Sequence, residues 1–168
     1  MLGRSTNDLI TVKDVPAHDF ILAYADHLKK TQKIESIKNA HFIKTSHASH
    51  NSPYSEDWFF VRAAALARKL YIRPELGVET LKHLFGRRKN NGNAPYTHAV
   101  ASGKVIRFAL QQLEKSNIVM RLNDKRNKGL KAIPAIESKK LPRVLTPEGQ
   151  KELNEIAKQV FHKLNGTN

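Results

Sequence analysis

The stretch Ser55-Glu56-Asp57-Trp58-Phe59-Phe60-Val61-Arg62-Ala63-Ala64-Ala65-Leu66-Ala67-Arg68-Lys69-Leu70-Tyr71-Ile72-Arg73 decides how the rest of the chain is read. Acids open it, Pro74 follows it, and no breaker lies between, which predicts one helix from Ser55 to about Arg73. Trp58, Phe59, Phe60, Val61, Leu66, Leu70, Tyr71 and Ile72, together with four alanines, cover nearly every side. A helix apolar all round belongs at the centre of a core. Yet Arg62, Lys69 and Arg73 fall within about 40° of one another on a helical wheel, and Trp58 lies close to the same line. That stripe is either a solvated face or a cationic strip, flanked by an aromatic ring, that leaves the core to meet phosphates.

The charge of the whole chain favours the second reading. Of 168 residues, 29 are Lys or Arg and 15 are Asp or Glu, a net of +14, and the isoelectric point is near 10.1. So much like charge opposes compaction unless a polyanion neutralises it. The excess is concentrated: residues 82–143 hold 15 basic side chains against Glu114, Asp124 and Glu137, leaving only +2 for the other 106 residues. Hydrophobic residues make up 40% of the chain, enough for a core, although a mean hydropathy of −0.51 implies a very polar surface. One domain over residues 1–168 is expected.

Working outward from the central helix, Asp14 and Pro16 predict a helix start, with the Asp14 carboxylate near the first free amides. Phe20, Ile21, Tyr24, Ala25 and Leu28 then predict an amphipathic helix over 15–31. Residues 32–54 read as a loop with short structure. Leu76 to Phe85 reads as a short helix closed by Gly86. The run Gly86-Arg87-Arg88-Lys89-Asn90-Asn91-Gly92-Asn93-Ala94-Pro95-Tyr96 is expected to be a flexible loop able to follow a phosphate backbone. Ser102 is a predicted N-cap for a helix through Lys115, with Arg107 facing out and Lys104 nearby. Ile118 to Leu122 and a return strand within 139–145 predict a hairpin whose long basic tip carries Lys125, Arg126 and Lys128, with Arg143 on the return. Thr146-Pro147-Glu148 supplies N-cap, Pro at the first helical position and an acid in the first turn of a last helix. The outline is mainly α: a helical bundle around a central amphipathic helix with a small β-hairpin, winged-helix-like.

Several chemistries find no support. Zero cysteines leave no disulfide framework, thiol nucleophile or thiolate zinc site. His41, His47 and His50 lack a convincing further ligand, so no metal site is expected. No Walker sequence, dinucleotide fingerprint, nucleophile elbow or isolated carboxylate pair appears, so no catalytic residue and no cofactor are assigned. No apolar run approaches the roughly 20 residues that span a bilayer. The N-terminal sequence lacks a signal-peptide core, and the chain is expected to be cytosolic or nuclear, without a membrane partner.

The pieces Thr11-Val12-Lys13-Asp14-Val15, Leu28-Lys29-Lys30, Pro53-Tyr54-Ser55-Glu56-Asp57-Trp58-Phe59-Phe60-Val61-Arg62-Ala63-Ala64 and Ala67-Arg68-Lys69-Leu70-Tyr71-Ile72-Arg73 occur in order. So do Gly86-Arg87-Arg88, Val105-Ile106-Arg107, Leu110-Gln111-Gln112-Leu113-Glu114 and Leu145-Thr146-Pro147-Glu148-Gly149-Gln150. Together they resemble the eukaryotic and archaeal small-subunit ribosomal protein nineteen family along nearly the whole chain. The resemblance implies an all-α bundle around the Trp58 helix and a place in the head of the cytosolic small subunit. It further implies binding to ribosomal RNA beside neighbouring head proteins, and a role in maturation of that RNA with assembly factors, including passage through the nucleus and nucleolus.

Carried over residue by residue, the family's basic positions correspond to Arg62, Arg68, Arg87, Arg88 and Arg107. Lys69, Arg73, Lys89, Lys104, Lys125, Arg126, Lys128 and Arg143 complete the expected RNA-binding set. Three departures stand out: Phe108 occupies a position where the family often has a second Arg, Val100 stands where the family carries a basic residue, with Lys104 nearby, and the stretch at about 123–142 is longer than the family's turn. Arg68 lies opposite the Arg62 stripe, so it is either a second basic edge towards RNA or a guanidinium held inside by a carboxylate. The alternative function is a winged-helix DNA-binding regulator reading a groove with Arg107, Gln111 and Gln112.

Overall fold

A computed structural model describes residues 10–122 and 141–166. The elements run α1 (Ala17–Lys30), a 3-10 turn (Ala40–Phe42), α2 (Trp58–Ile72), α3 (Val78–Leu84), β1 (Arg87–Asn91), β2 (Ala94–Ala99), α4 (Gly103–Lys115), β3 (Val119–Arg121), β4 (Arg143–Leu145) and α5 (Pro147–Leu164). The architecture is mainly α with antiparallel two-stranded pairings, β1 with β2 and β3 with β4. Helix α2 packs against α1, α4 and β4, while α5 closes over α1 and α3 lies on α4.

The central helix is buried for the reason its composition suggested. Phe59, Ala63, Ala64, Leu66 and Ala67 are fully buried, and Trp58 and Leu70 nearly so. Phe20, Tyr24, Ala25 and Leu28 present the apolar side of α1 to them, and Val105, Ile106, Ala109, Leu110 and Leu113 present that of α4. Each large side chain among these contributes roughly 1.5–3 kcal/mol by leaving water. Polar ties then fix how the helices sit. Tyr71 Oη donates to Asn154 Oδ1 at 2.9 Å, joining α2 to α5. Glu152 on α5 accepts from Lys33 Nζ at 2.8 Å and meets His27 Nε2 at 3.1 Å. The Tyr24 hydroxyl beside them is buried without an acceptor, and burial pushes its pKa upward.

Asp14 does not cap α1. Its carboxylate instead accepts from Thr11 N at 2.8 Å and Thr11 Oγ1 at 2.7 Å, closing the preceding turn, and these bonds hold its pKa below the usual carboxylate value. Pro16 stands at the N-cap, where no side chain satisfies the first amides. Helix α4 ends as its sequence did not announce: Asn117 adopts φ 57°, Ile118 N donates to Leu113 O at 3.1 Å, and the chain turns directly into β3.

Two contacts lock the C-terminal third. Glu114 Oε1 accepts from Arg143 Nε at 2.7 Å, and its Oε2 accepts from Arg121 Nη2 at 2.9 Å and Nε at 3.1 Å. Arg143 is 4% exposed, and its backbone N also donates to Leu76 O at 3.2 Å. Thr146 Oγ1 accepts from Gly149 N at 2.9 Å, as the Thr-Pro-Glu start predicted, while Thr146 N donates to Ile118 O. That Ile118 carbonyl lies so close over the first turn of α5 that a Cβ on Gly149 would stand 2.4 Å from it.

Two predictions follow from this packing. Glu114→Ala strands the buried Arg143 charge and should cost about 3 kcal/mol or more in urea unfolding, with a smaller loss for Arg121→Ala. Gly149→Ala, which in an open helix would gain up to about 1 kcal/mol, should lower the thermal midpoint, because the new methyl meets backbone that cannot move aside. An unchanged or raised midpoint would refute the close approach.

Candidate nucleic-acid interface

Residues 86–99 form a two-stranded arm, where a flexible loop was expected over 86–96. Arg87 pairs with Ala99, Arg88 with His98 and Lys89 with Thr97, and the register shifts between Lys89 and Asn91. The turn follows from Asn-Gly chemistry: Gly92 takes φ 71°, and its N–H donates to Asn90 Oδ1 at 2.9 Å. Asn91 Nδ2 adds bonds to Pro95 O and Thr97 Oγ1. The Asn91-Gly92 pair was the available sequence signal. By itself it does not announce a hairpin, because neither flank shows the alternating apolar pattern of a half-buried strand.

That missing alternation is itself informative. Nearly every residue of both strands is exposed, Lys89 being half-buried and Ala99 buried. A two-stranded ribbon without an apolar face to pack is marginal by itself, so its residues are not explained by core formation. Arg88 lies over the Tyr96 ring at 5.8 Å, and Tyr96 is 63% exposed. Arg87 Nη1 donates to Ser49 Oγ at 3.2 Å. Where the arm meets the helices, Gly86 admits the His98 ring: a Cβ there would lie 2.5 Å from His98 Nε2 and 2.8 Å from Ala99 O. His98 stacks on His83 with ring centroids 6.0 Å apart. Gly86 therefore serves close approach and not a left-handed helix cap.

The central-helix stripe is partly rebuilt. Arg62 is half-buried with its guanidinium 4.9 Å over the Phe85 ring, beside the root of the arm, and desolvation lowers its pKa. Phe85 supplies the aromatic partner assigned to Trp58, which is only 7% exposed and packs edge-on to Phe59. Lys69 is half-buried, and Arg73 is exposed but no longer helical, with φ −127° and ψ 101°. The wheel cannot place Arg73 because the helix ends before it. Arg68 is half-buried on the other side, its Nε without a partner, and no carboxylate among the described residues pairs with it.

On α4, Lys104 and Arg107 are exposed. A Cβ on Gly103 would meet Arg107 Nη1 at 3.0 Å and Lys82 Cδ at 3.3 Å, so this glycine lets two cationic side chains cross the start of the helix. Lys82 Nζ reaches Glu79 at 2.7 Å, and that bond holds the Glu79 pKa down. The arm, Arg62, Lys82, Lys104 and Arg107 thus group around the α3 end and the α4 start. Arg143 does not join them, because its guanidinium is spent in the core on Glu114 and Leu141 O. Lys125, Arg126 and Lys128 lie outside the described residues. Of the groove-reading candidates, Gln112 is 4% exposed and its Oε1 accepts from Glu35 N at 3.4 Å, leaving only Arg107 and Gln111 outward. Among the described residues no group of three or more metal-ligating side chains converges, and no helix is long and apolar enough to cross a membrane.

Comparison with known proteins bears on the same residues. Residues 11–163 match the family described as ribosomal protein S19e. The chain is 39% identical over 150 residues to the small ribosomal subunit protein eS19 of Entamoeba histolytica, covering 89% of this chain and 86% of that one. It is 42% identical over 154 residues to the eS19 of Argopecten irradians, covering 92% and 96%. To the eS19A of Saccharomyces cerevisiae it is 37% identical over 155 residues, again 92% and 96%. With the whole helical body and the cationic arm inside the matched span, this chain belongs to the ribosomal protein S19e family, a family of structural ribosomal proteins and not of enzymes.

Proposed function

We propose that this chain is a single RNA-binding domain and a structural constituent of the small ribosomal subunit, whose β1–β2 arm and adjoining cations hold ribosomal RNA by phosphate and sugar contacts. The observation that carries the reading is the arm: three successive cations, Arg87, Arg88 and Lys89, on a ribbon exposed on both sides. Cations placed on ordered backbone meet phosphates at less entropic cost than cations on a loose loop. Arg62, Lys104 and Arg107 extend the same surface onto the helices, and the shape of folded RNA supplies the specificity. Lys69 and, just past the end of α2, Arg73 form a second set of contacts, Arg68 a further one on the other edge of α2, and Lys125, Arg126 and Lys128 the last from the insertion. The relatives' names place those proteins in the small ribosomal subunit, and we carry that placement to this chain.

In line with the family resemblance, the domain sits in the subunit head among head proteins. It works in the cytoplasm after passage through the nucleus and nucleolus, where it takes part in maturation of the RNA with assembly factors. A DNA-regulator role is less well supported, since burial of Gln112 leaves α4 short of base-reading side chains.

Two measurements test the reading. Replacing Arg87, Arg88 and Lys89 together by Ala should flatten the slope of log affinity for structured RNA against log salt by about 2 to 3, at roughly 0.7–0.9 per lost phosphate contact. The same variant should leave small subunits at lower salt in sucrose gradients, while the unfolding midpoint of the isolated protein stays within error. Normal retention by mature subunits would sink the assignment of the arm, and preference for duplex DNA over structured RNA in gel-shift competition would favour the regulator.

A further inference from the structure

The segment before α2 carries a surface unlike the rest of the molecule. Tyr54 is 99% exposed and Phe42 is 84% exposed, the two most exposed large apolar side chains among the described residues. Beside Tyr54 lies a pocket of about 350 Å³, lined by His41, Ser52, Pro53, Glu56 and Trp58 among others, and Phe42 stands at its margin with its ring edge-on to His41, centroids 6.4 Å apart. Ser52 Oγ donates to His41 O and ties the two sides of the pocket together. In a chain with 29 basic residues, the lining includes no Lys and no Arg. Its charged side chain is Glu56, which is exposed and has no ion pair among the described residues; the adjacent Asp57 is taken by Lys29 at 2.7 Å.

This combination selects against RNA. A phosphate backbone arriving here would meet the Glu56 carboxylate and no Lys or Arg in the lining, the nearby Lys29 being held on Asp57, the reverse of the arm. Aromatic rings beside an uncommitted carboxylate suit a cationic side chain, which gains a face-on ring contact and an ion pair together. The residue type that best exploits both is arginine, whose planar guanidinium stacks and forks. Exposed aromatics on a soluble surface commonly mark a protein contact.

We propose that Tyr54, Phe42 and Glu56 form a docking site for an arginine-bearing peptide segment of another protein, separate from the RNA-binding arm. The site goes beyond the ribosomal RNA reading, and the segment 40–58 supports both surfaces: Ser49 touches Arg87 on one side, while Trp58 floors the pocket on the other. Binding therefore brings a neighbouring protein's basic segment against the start of α2 while RNA lies along the arm.

Trp58 is the sole tryptophan and lines the pocket, so its fluorescence reports occupancy. The test titrates the full chain with a nine-residue Gly-Ser peptide carrying three arginines, the same peptide carrying three glutamates, and nona-uridine. The arginine peptide should shift Trp58 emission saturably. Glu56→Lys and Tyr54→Ala, both at exposed positions that bear no core packing, should weaken that response at least fivefold, whereas Arg88→Ala should leave it unchanged. An equal response to the glutamate peptide, a stronger one to nona-uridine, an emission change that grows with protein concentration alone, or no loss in Glu56→Lys would overturn the proposal. Because Arg88→Ala and the arm variant address the RNA surface, failure here leaves the arm's assignment standing.

Discussion

The contact on which the other elements depend is the alanine-lined surface of α2. Ala63, Ala64 and Ala67 are fully buried, and their short side chains let α1, α4 and β4 approach the same helix from different sides. Phe59, Leu66 and Leu70 fill the space left between them. A larger residue at an alanine position would push a neighbour away and open voids elsewhere, since interiors are close-packed. This is why a helix of mixed apolar and basic composition sits at the centre of so basic a chain. Its cations escape at two edges, while Phe59, Ala63, Ala64, Leu66, Ala67 and Leu70 make up its core side.

Arginines show how strongly position overrides residue type. Arg88 is exposed against Tyr96, available to an anion. Arg62 is half-buried on Phe85, with its hydrocarbon stem and one guanidinium face covered. Arg143 is inside, spent on Glu114. The same side chain serves as an exposed cation, as a contact between α2 and the Phe85 ring, and as a core polar tie. Of the 15 basic side chains in residues 82–143, Arg143 is therefore withdrawn from the surface, and Arg121 shares the same Glu114 carboxylate, which the net excess already counts.

Glycines carry a second constraint that has little to do with flexibility. Gly149 makes room for the Ile118 carbonyl, Gly86 for the His98 ring, and Gly103 for the Lys82 and Arg107 side chains. Each sits where two elements would otherwise collide. Gly86 sets the root of the arm, and Gly103 brings cations across the start of α4.

Periodicity and end signals in the chain alone determined the helices. The three-and-four spacing of Phe20, Ile21, Tyr24, Ala25 and Leu28, the Ser55–Arg73 run and Thr146-Pro147-Glu148 are local patterns whose physics acts within a few residues. The basic excess and its concentration were equally legible, since charge is additive along sequence. Only the tertiary structure decided which cations face outward, because burial depends on what packs against a side chain from distant positions. Glu114 captures Arg143 across 29 residues, Phe85 replaces Trp58 as the ring beneath Arg62, and Arg73 leaves the helix before it can extend the stripe. The β1–β2 arm was hidden for a related reason: a ribbon with no buried face leaves no hydrophobic alternation to read, and its order comes from cross-strand pairing and one glycine turn.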